Sequence, residues 1–164
     1  MIILGIDPGL AIVGWGVLDY SGSKFRVIGY GSLQTPAGMK TEDRLAAIYQ
    51  GMIQLIDTYH PEQIAVEELF FNTNITTGIR VAEARGVILL AGRQKNVALF
   101  EYTPLQVKQA VAGYGRADKK QVITMVTSLL RLKEPPKPDD TADALAIAVC
   151  HAHTGCSPLA AYYN

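Results

Sequence analysis

The sequence predicts an α/β protein built on a five-stranded mixed sheet, its first three strands antiparallel and its helices flanking the sheet. Two features carry this expectation. Residues 1–34 divide into an apolar run at 2–6 and two segments rich in Val, Ile, Tyr and Phe at 13–20 and 25–34, with turns at Asp7-Pro8-Gly9 and Ser21-Gly22-Ser23. Short connections of this kind join antiparallel neighbours. Beyond residue 40 the apolar residues fall at helical spacing, and helices then alternate with two short apolar runs, giving the βαβα order that extends a sheet in parallel.

Taken in order, residues 2–6 form a continuous apolar run, read as a buried strand that stops at Asp7-Pro8-Gly9 and so leaves Asp7 at a strand end. Segments 13–20 and 25–34 form a hairpin around Ser21-Gly22-Ser23. Thr41, followed by Glu42 and Asp43, is an N-cap candidate; Leu45, Ile48, Met52, Leu55, Ile56 and Tyr59 then recur on one helical face up to Pro61. A short strand at Gln63–Glu67, a helix near 74–93 and a strand at 97–102 follow. Thr103-Pro104 opens a short helix ending near Gly113, since Pro fits the first helical position. A longer helix spans about 117–132, and Pro135-Pro136 ends it. The last helix, about 140–152, is Ala-rich and expected to be well buried.

A chain of 164 residues is long enough to bury one sizeable core, and residues 1–155 are expected to form one domain, with 156–164 a tail. Asp7 interrupts the apolar N-terminus too early for a signal peptide or a membrane span, so a cytoplasmic location with no membrane association is expected. Cys150 and Cys156 lack the companions that a zinc site or a disulfide framework needs. The net charge of zero hides a segregation: residues 72–133 carry +7, residues 1–71 carry −4 and residues 134–164 carry −3. A basic middle suits a phosphate backbone and acidic ends suit hydrated divalent cations.

The chemistry rests on acids. Asp7 and Glu67 each end an apolar strand, the edge of an α/β sheet where sites commonly form. Asp140 and Asp143 are three apart at a helix start and share one face. Asp139 adjoins Asp140, but the Asp-x-x-Asp spacing favours Asp140. Glu68 adjoins Glu67, and strand alternation sends the two to opposite faces. Each acid alone is commonplace in a structural role. Gathered in a partly dry site, the four would repel one another unless a cation compensates, and Mg²⁺ or Mn²⁺ is the economical choice. Two such ions ~4 Å apart serve in-line phosphodiester displacement.

Gly5-Ile6-Asp7-Pro8-Gly9 followed by Gly14, then Val66-Glu67-Glu68-Leu69-Phe70, Glu83-Ala84-Arg85-Gly86, Val107-Lys108-Gln109 and Asp143-Ala144-Leu145-Ala146-Ile147-Ala148 together resemble the RuvC family of four-way (Holliday) junction endonucleases, over residues 1 to about 153. The resemblance implies a ribonuclease H-like fold, a homodimer, and Mg²⁺-dependent (also Mn²⁺-supported) symmetric nicking of two opposed strands in recombination and DNA repair, with two ions per subunit. It implies Asp7, Glu67, Asp140 and Asp143 as catalytic metal ligands, Lys108 and Lys119 beside the cleaved strand, and Phe70 stacking on bases. Lys120, Arg116, Arg80 and Arg85 are expected in the wider DNA-facing patch, and Phe71 in the core. Four-way junction DNA is the implied substrate, and a complex with RuvA and RuvB is inherited from the same resemblance. The helix at 74–93 is the candidate dimer face. His151 and His153 are expected to be structural, with His151 near enough to be considered for the metal site.

Three other readings compete. Asp7-Pro8-Gly9 with Gly14-Trp15-Gly16 also looks like the first phosphate turn of actin-like ATPases, but no second turn or adenosine pocket follows. A non-catalytic nucleic-acid-binding module would not need four acids at element ends. Another ribonuclease H-fold nuclease, acting on RNA–DNA hybrids, differs only in substrate geometry.

Overall fold

The structure is a computed structural model and describes residues 1–69 and 75–155. Phe70, Phe71, Cys156 and the expected tail 156–164 lie outside the described residues. The elements are β1 (Ile2–Asp7), β2 (Ile12–Ser21), β3 (Lys24–Gln34), α1 (Thr41–Tyr59), β4 (Gln63–Glu67), α2 (Ile75–Gln94), β5 (Ala98–Tyr102), α3 (Pro104–Ala112), α4 (Lys119–Leu129) and α5 (Asp139–Thr154). One five-stranded sheet has the order β3-β2-β1-β4-β5. The β1–β2 and β2–β3 pairs are antiparallel, and the β1–β4 and β4–β5 pairs are parallel. The β2–β3 hairpin closes over Gly22 and Ser23, whose φ values of 54° and 64° give the two-residue turn that suits the right-handed twist of its strands.

Strand alternation assigns the two faces. Leu4 and Ile6 of β1, Val13 and Val17 of β2, and Ile64 and Val66 of β4 pack on Ile48, Met52 and Ile56 of α1 and on Ala84 and Ile88 of α2. Ile3, Leu18 and Ala65 point the other way, into a second core formed with α3, α4 and α5. By the same alternation Asp7 and Glu67, two residues beyond Gly5 and Ala65, emerge on the α5 side of the sheet.

α5 lies almost against the sheet backbone. A Cβ on Gly5 would stand 2.2 Å from the carbonyl oxygen of Ala144, and one on Gly14 would stand 1.9 Å from that of Asp140. Glycine at these two positions is therefore a matter of space. The close seat explains why every residue of α5 from Ala144 to Ala152 is buried.

Three helices differ from expectation at their ends. Thr41 is the first residue of α1 and Lys40 takes the cap position with no side-chain cap; its carbonyl accepts from the Arg44 N–H at 3.0 Å. α4 begins at Lys119 because Asp118 forms a reciprocal capping box with Gln121, and it ends at Leu129, just before Arg131 turns left-handed. α5 runs on to Thr154. The Thr103–Gln106 capping box, with Pro104 following, starts α3 where the sequence places it.

Candidate functional site

Asp7 and Glu67 leave the C-terminal ends of β1 and β4, which are hydrogen-bonded parallel neighbours with Ile6 opposite Val66. Across β1 from β4, Asp7 pairs with Gly14, and the bare Cα of Gly14 receives the Asp140 backbone at the start of α5. The glycine floor thus delivers Asp140 and, one helical turn on, Asp143 to the same sheet edge. Asp7 and Asp140 line an open cleft of about 430 Å³ with the turn after β1, Arg44 and Arg80. Glu67 and Asp143 line a neighbouring cleft of about 230 Å³, together with Lys108, Lys119 and the apolar walls Val107 and Val122.

Asp7 has its pKa held well above the ordinary carboxylate value, first by burial and then by the charges of Glu67, Asp143 and Asp140. Glu67 is raised by burial and by Asp143, against the pull of Lys108 and Lys119. Asp143 is raised by burial despite its hydrogen bond from Lys119. The Lys119 ammonium stands 3.1 Å from Asp143 and 3.7 Å from Asp139. Burial alone would lower its pKa, but Asp143, Asp139 and Asp140 raise it on balance, so it stays charged. Lys108 and Lys119 together do not offset this anionic excess, since Asp7, Glu67 and Asp143 all stay raised. Among the described residues no three acidic, histidine or cysteine side chains close into a preformed cation site; the acids crowd one another with an uncompensated charge. Their oxygen-only donor set suits a hard divalent cation such as Mg²⁺ or Mn²⁺.

The chain matches the family model described as Crossover junction endodeoxyribonuclease RuvC over residues 3–151. The chain belongs to the RuvC family. The crossover junction endodeoxyribonuclease RuvC of Halothermothrix orenii is 59% identical over 154 residues, covering 94% of this chain and 93% of that one. That of Alkaliphilus oremlandii is 57% identical, covering 94% of each. The solved structure of T. thermophilus RuvC in complex with a Holliday junction substrate superposes with a TM-score of 0.88 at 38% identity, covering 93% of each chain. The yeast mitochondrial Holliday junction resolvase Ydc2, at 16% identity and a TM-score of 0.68, shares the fold. The expected ribonuclease H-like, five-stranded mixed sheet is the RuvC fold seen here.

The remaining candidates of this RuvC-family chain separate by environment. Lys108 is half-buried at the smaller cleft, and Lys119 is exposed at its rim. Lys120, Arg116 and Arg80 are exposed; Arg80 borders the larger cleft. Arg85 turns inward instead: its Nε donates to the Glu67 carbonyl at 3.1 Å, and its guanidinium pairs with Glu101 at 2.7 Å. Its visible work is to tie α2 to the ends of β4 and β5. His151 stands eight residues beyond Asp143, about 12 Å along α5, fully buried between the Tyr102 hydroxyl and the Gln63 side chain at 2.6 Å each. Burial lowers its pKa to about 4, so it is a neutral core residue away from the acids. Glu68, the first residue beyond β4, is exposed. Sequence reasoning missed Arg44, which is buried in the first turn of α1. Its signal was available: Arg44 falls four residues before Ile48 and eight before Met52, a cation in register with the apolar stripe.

Proposed function

We propose that this chain is a structure-selective endodeoxyribonuclease that resolves Holliday junctions by divalent-metal-dependent nicking of two opposed strands, acting as a homodimer in the cytoplasm during recombination and repair. The observation that carries the reading is the meeting of Asp7, Glu67, Asp140 and Asp143 from three elements at one sheet edge, with Lys108 and Lys119 beside them. The named relatives support the substrate class. RuvA- and RuvB-type branch-migration proteins are the expected partners on the same family grounds.

Asp7, Glu67, Asp140 and Asp143 would hold Mg²⁺ or Mn²⁺, two ions in the working state. When bound, the ions supply Lewis-acid stabilisation of the charge developing on the phosphoryl oxygens. The chain's own residues do the rest. Asp7 and Glu67 are fixed by strands and Asp140 and Asp143 by a helix seated on backbone, so the donor set is rigid. Lys119 keeps its proton beside Asp143 and, with Lys108, offers ammonium groups to the phosphate of the cut strand. Val107 and Val122 narrow that cleft and limit water.

The homodimer is proposed to form on α2. Ile79, Glu83, Gly86, Leu90 and Arg93 fall on one stripe of this helix, with Ile79 and Leu90 each 51% exposed. Nothing lies within 4 Å of where a Cβ on Gly86 would stand, which leaves room for a second helix to approach. Among the described residues no helix is long and apolar enough to cross a membrane.

The deciding experiment incubates the purified protein with a synthetic four-way junction, a linear duplex and an RNA–DNA hybrid, in Mg²⁺ or EDTA. Paired nicks confined to the junction and lost in EDTA are expected. Cleavage of the hybrid would move the assignment to a ribonuclease H activity, and binding without cleavage would leave only a junction-binding module.

A further inference from the structure

A buried arginine fastens the turn that follows Asp7. Arg44 is 8% exposed. Its Nε donates to Thr35 Oγ1 at 2.7 Å and its Nη2 to the Thr35 carbonyl at 3.2 Å. The Thr35 hydroxyl in turn donates to the Leu10 carbonyl, and the Thr35 N–H donates to the Ala11 carbonyl at 3.0 Å. These bonds fix the guanidinium plane against the β1–β2 turn.

None of these partners carries a charge, and among the described residues Arg44 makes no ion pair. A guanidinium cannot shed its proton, and a buried cation without a counter-charge costs stability unless an anion meets it. Part of Arg44 lines the 430 Å³ cleft, whose lining also includes Thr77, Arg80, Asp7 and Asp140. The cleft therefore brings a hydrogen-bonded, buried guanidinium and an exposed one to the acids, in a cleft separate from the one that Lys108 and Lys119 line.

We infer that this cleft is a phosphate subsite, in which Arg44 and Arg80 take a DNA backbone phosphate adjacent to the scissile one. The inference rests on the nuclease reading above and deepens it: a strand lying across the acids has cations beneath its phosphates on both sides of the cut. Arg44 serves as the fixed fork, suited to two parallel bonds to a phosphate, and Arg80 closes from α2. The anion met in the loaded state replaces the counter-charge that the fold omits.

The test uses junctions bearing a single neutral methylphosphonate at each of three linkages on either side of the cut, with full-length wild type, Arg44→Met and Arg80→Ala compared for binding and single-turnover cleavage. In wild type, one linkage next to the cut should weaken binding about 10-fold when neutral, the loss expected for one charge-assisted contact. Each variant should bind the unmodified junction about 10-fold more weakly and lose little further at that same linkage, while the slope of log affinity against log salt falls by about 0.7–0.9. Equal additional losses at every linkage, with an unchanged salt slope and a lowered melting temperature only, would make Arg44 a purely structural tie and overturn the subsite. If Arg44→Met does not fold, the Arg80→Ala scan decides by the same criterion. A wild type that leaves the junction uncut while binding it retires the nuclease reading, an outcome separate from the linkage pattern.

Discussion

Ionising Asp7 works against folding. Its pKa is raised in the folded chain by burial and by three neighbouring acids, and those of Glu67 and Asp143 are raised as well. A carboxyl group with a raised folded pKa binds its proton more tightly folded than unfolded, so stability falls as pH climbs from the ordinary carboxylate value through the folded one. His151 has the opposite sign. Its folded pKa is lowered from 6.5 to about 4, so its contribution is lost as pH falls from 6.5 towards 4 and is constant above 6.5. The acids are therefore best tested above pH 6.5. At pH 7.5 in EDTA, Asp7→Asn should melt at a higher temperature than wild type, each ~1 kcal/mol appearing as ~2–4 °C in a domain of this size. Millimolar Mg²⁺ should stabilise wild type more than the variant. The same substitution should cut junction cleavage by at least ~100-fold while binding persists. Calorimetry with and without EDTA reads the first effect, and an unchanged or lowered melting temperature would mean that the acids do not strain one another.

At the scale of elements, the site depends on how closely α5 sits on β1 and β2. A Cβ at Gly14 would meet the Asp140 carbonyl oxygen at 1.9 Å, against backbone that cannot swing aside. Gly14→Ala must push the start of α5 outward, carrying Asp140 and Asp143 with it. A displacement near 1 Å typically costs ~100-fold in rate, so cleavage by the folded variant should fall by about that factor. Gly38→Ala, with nothing within 4 Å of the new atom, should cleave like wild type. A folded Gly14→Ala enzyme of full activity would disprove the seating argument. Much of this architecture was legible in the sequence because its signals are local. Strands read at 13–20 and 25–34 are observed at Ile12–Ser21 and Lys24–Gln34, since turn chemistry and alternation are encoded in neighbouring residues. Strand ends likewise placed Asp7 and Glu67, and helical spacing placed Asp140 beside Asp143. What escaped was non-local. Arg85 of α2 pairs with Glu101 of β5, and Arg44 of α1 with Thr35 across the β3–α1 connection; periodicity turns Arg44 toward the core, but it announces neither partner. The helix ends slipped because competing caps, Asp118 against the residues before it, differ by little in free energy.

For the whole molecule, two opposed strands of a junction demand two sites, and a two-fold dimer is the simplest object that offers them. The α2 stripe fits that need. It presents Ile79 and Leu90 three turns apart with Gly86 between them, and a two-fold axis midway between them, between Glu83 and Gly86, would pack each partner's Leu90 beside the other's Ile79. Leu90→Glu adds one carboxylate per subunit within the proposed interface and spares both the core and the acids, because Leu90 is half exposed. Light scattering should then report a monomer at concentrations where wild type is dimeric, with little change in the melting temperature of the isolated subunit. On a plasmid that extrudes a cruciform, wild type should give linear product through paired nicks, whereas the variant should accumulate open circles from single, uncoordinated cuts. Persistence of the dimer would move the interface off α2, and linear product from a proven monomer would remove the need for two-fold symmetry altogether.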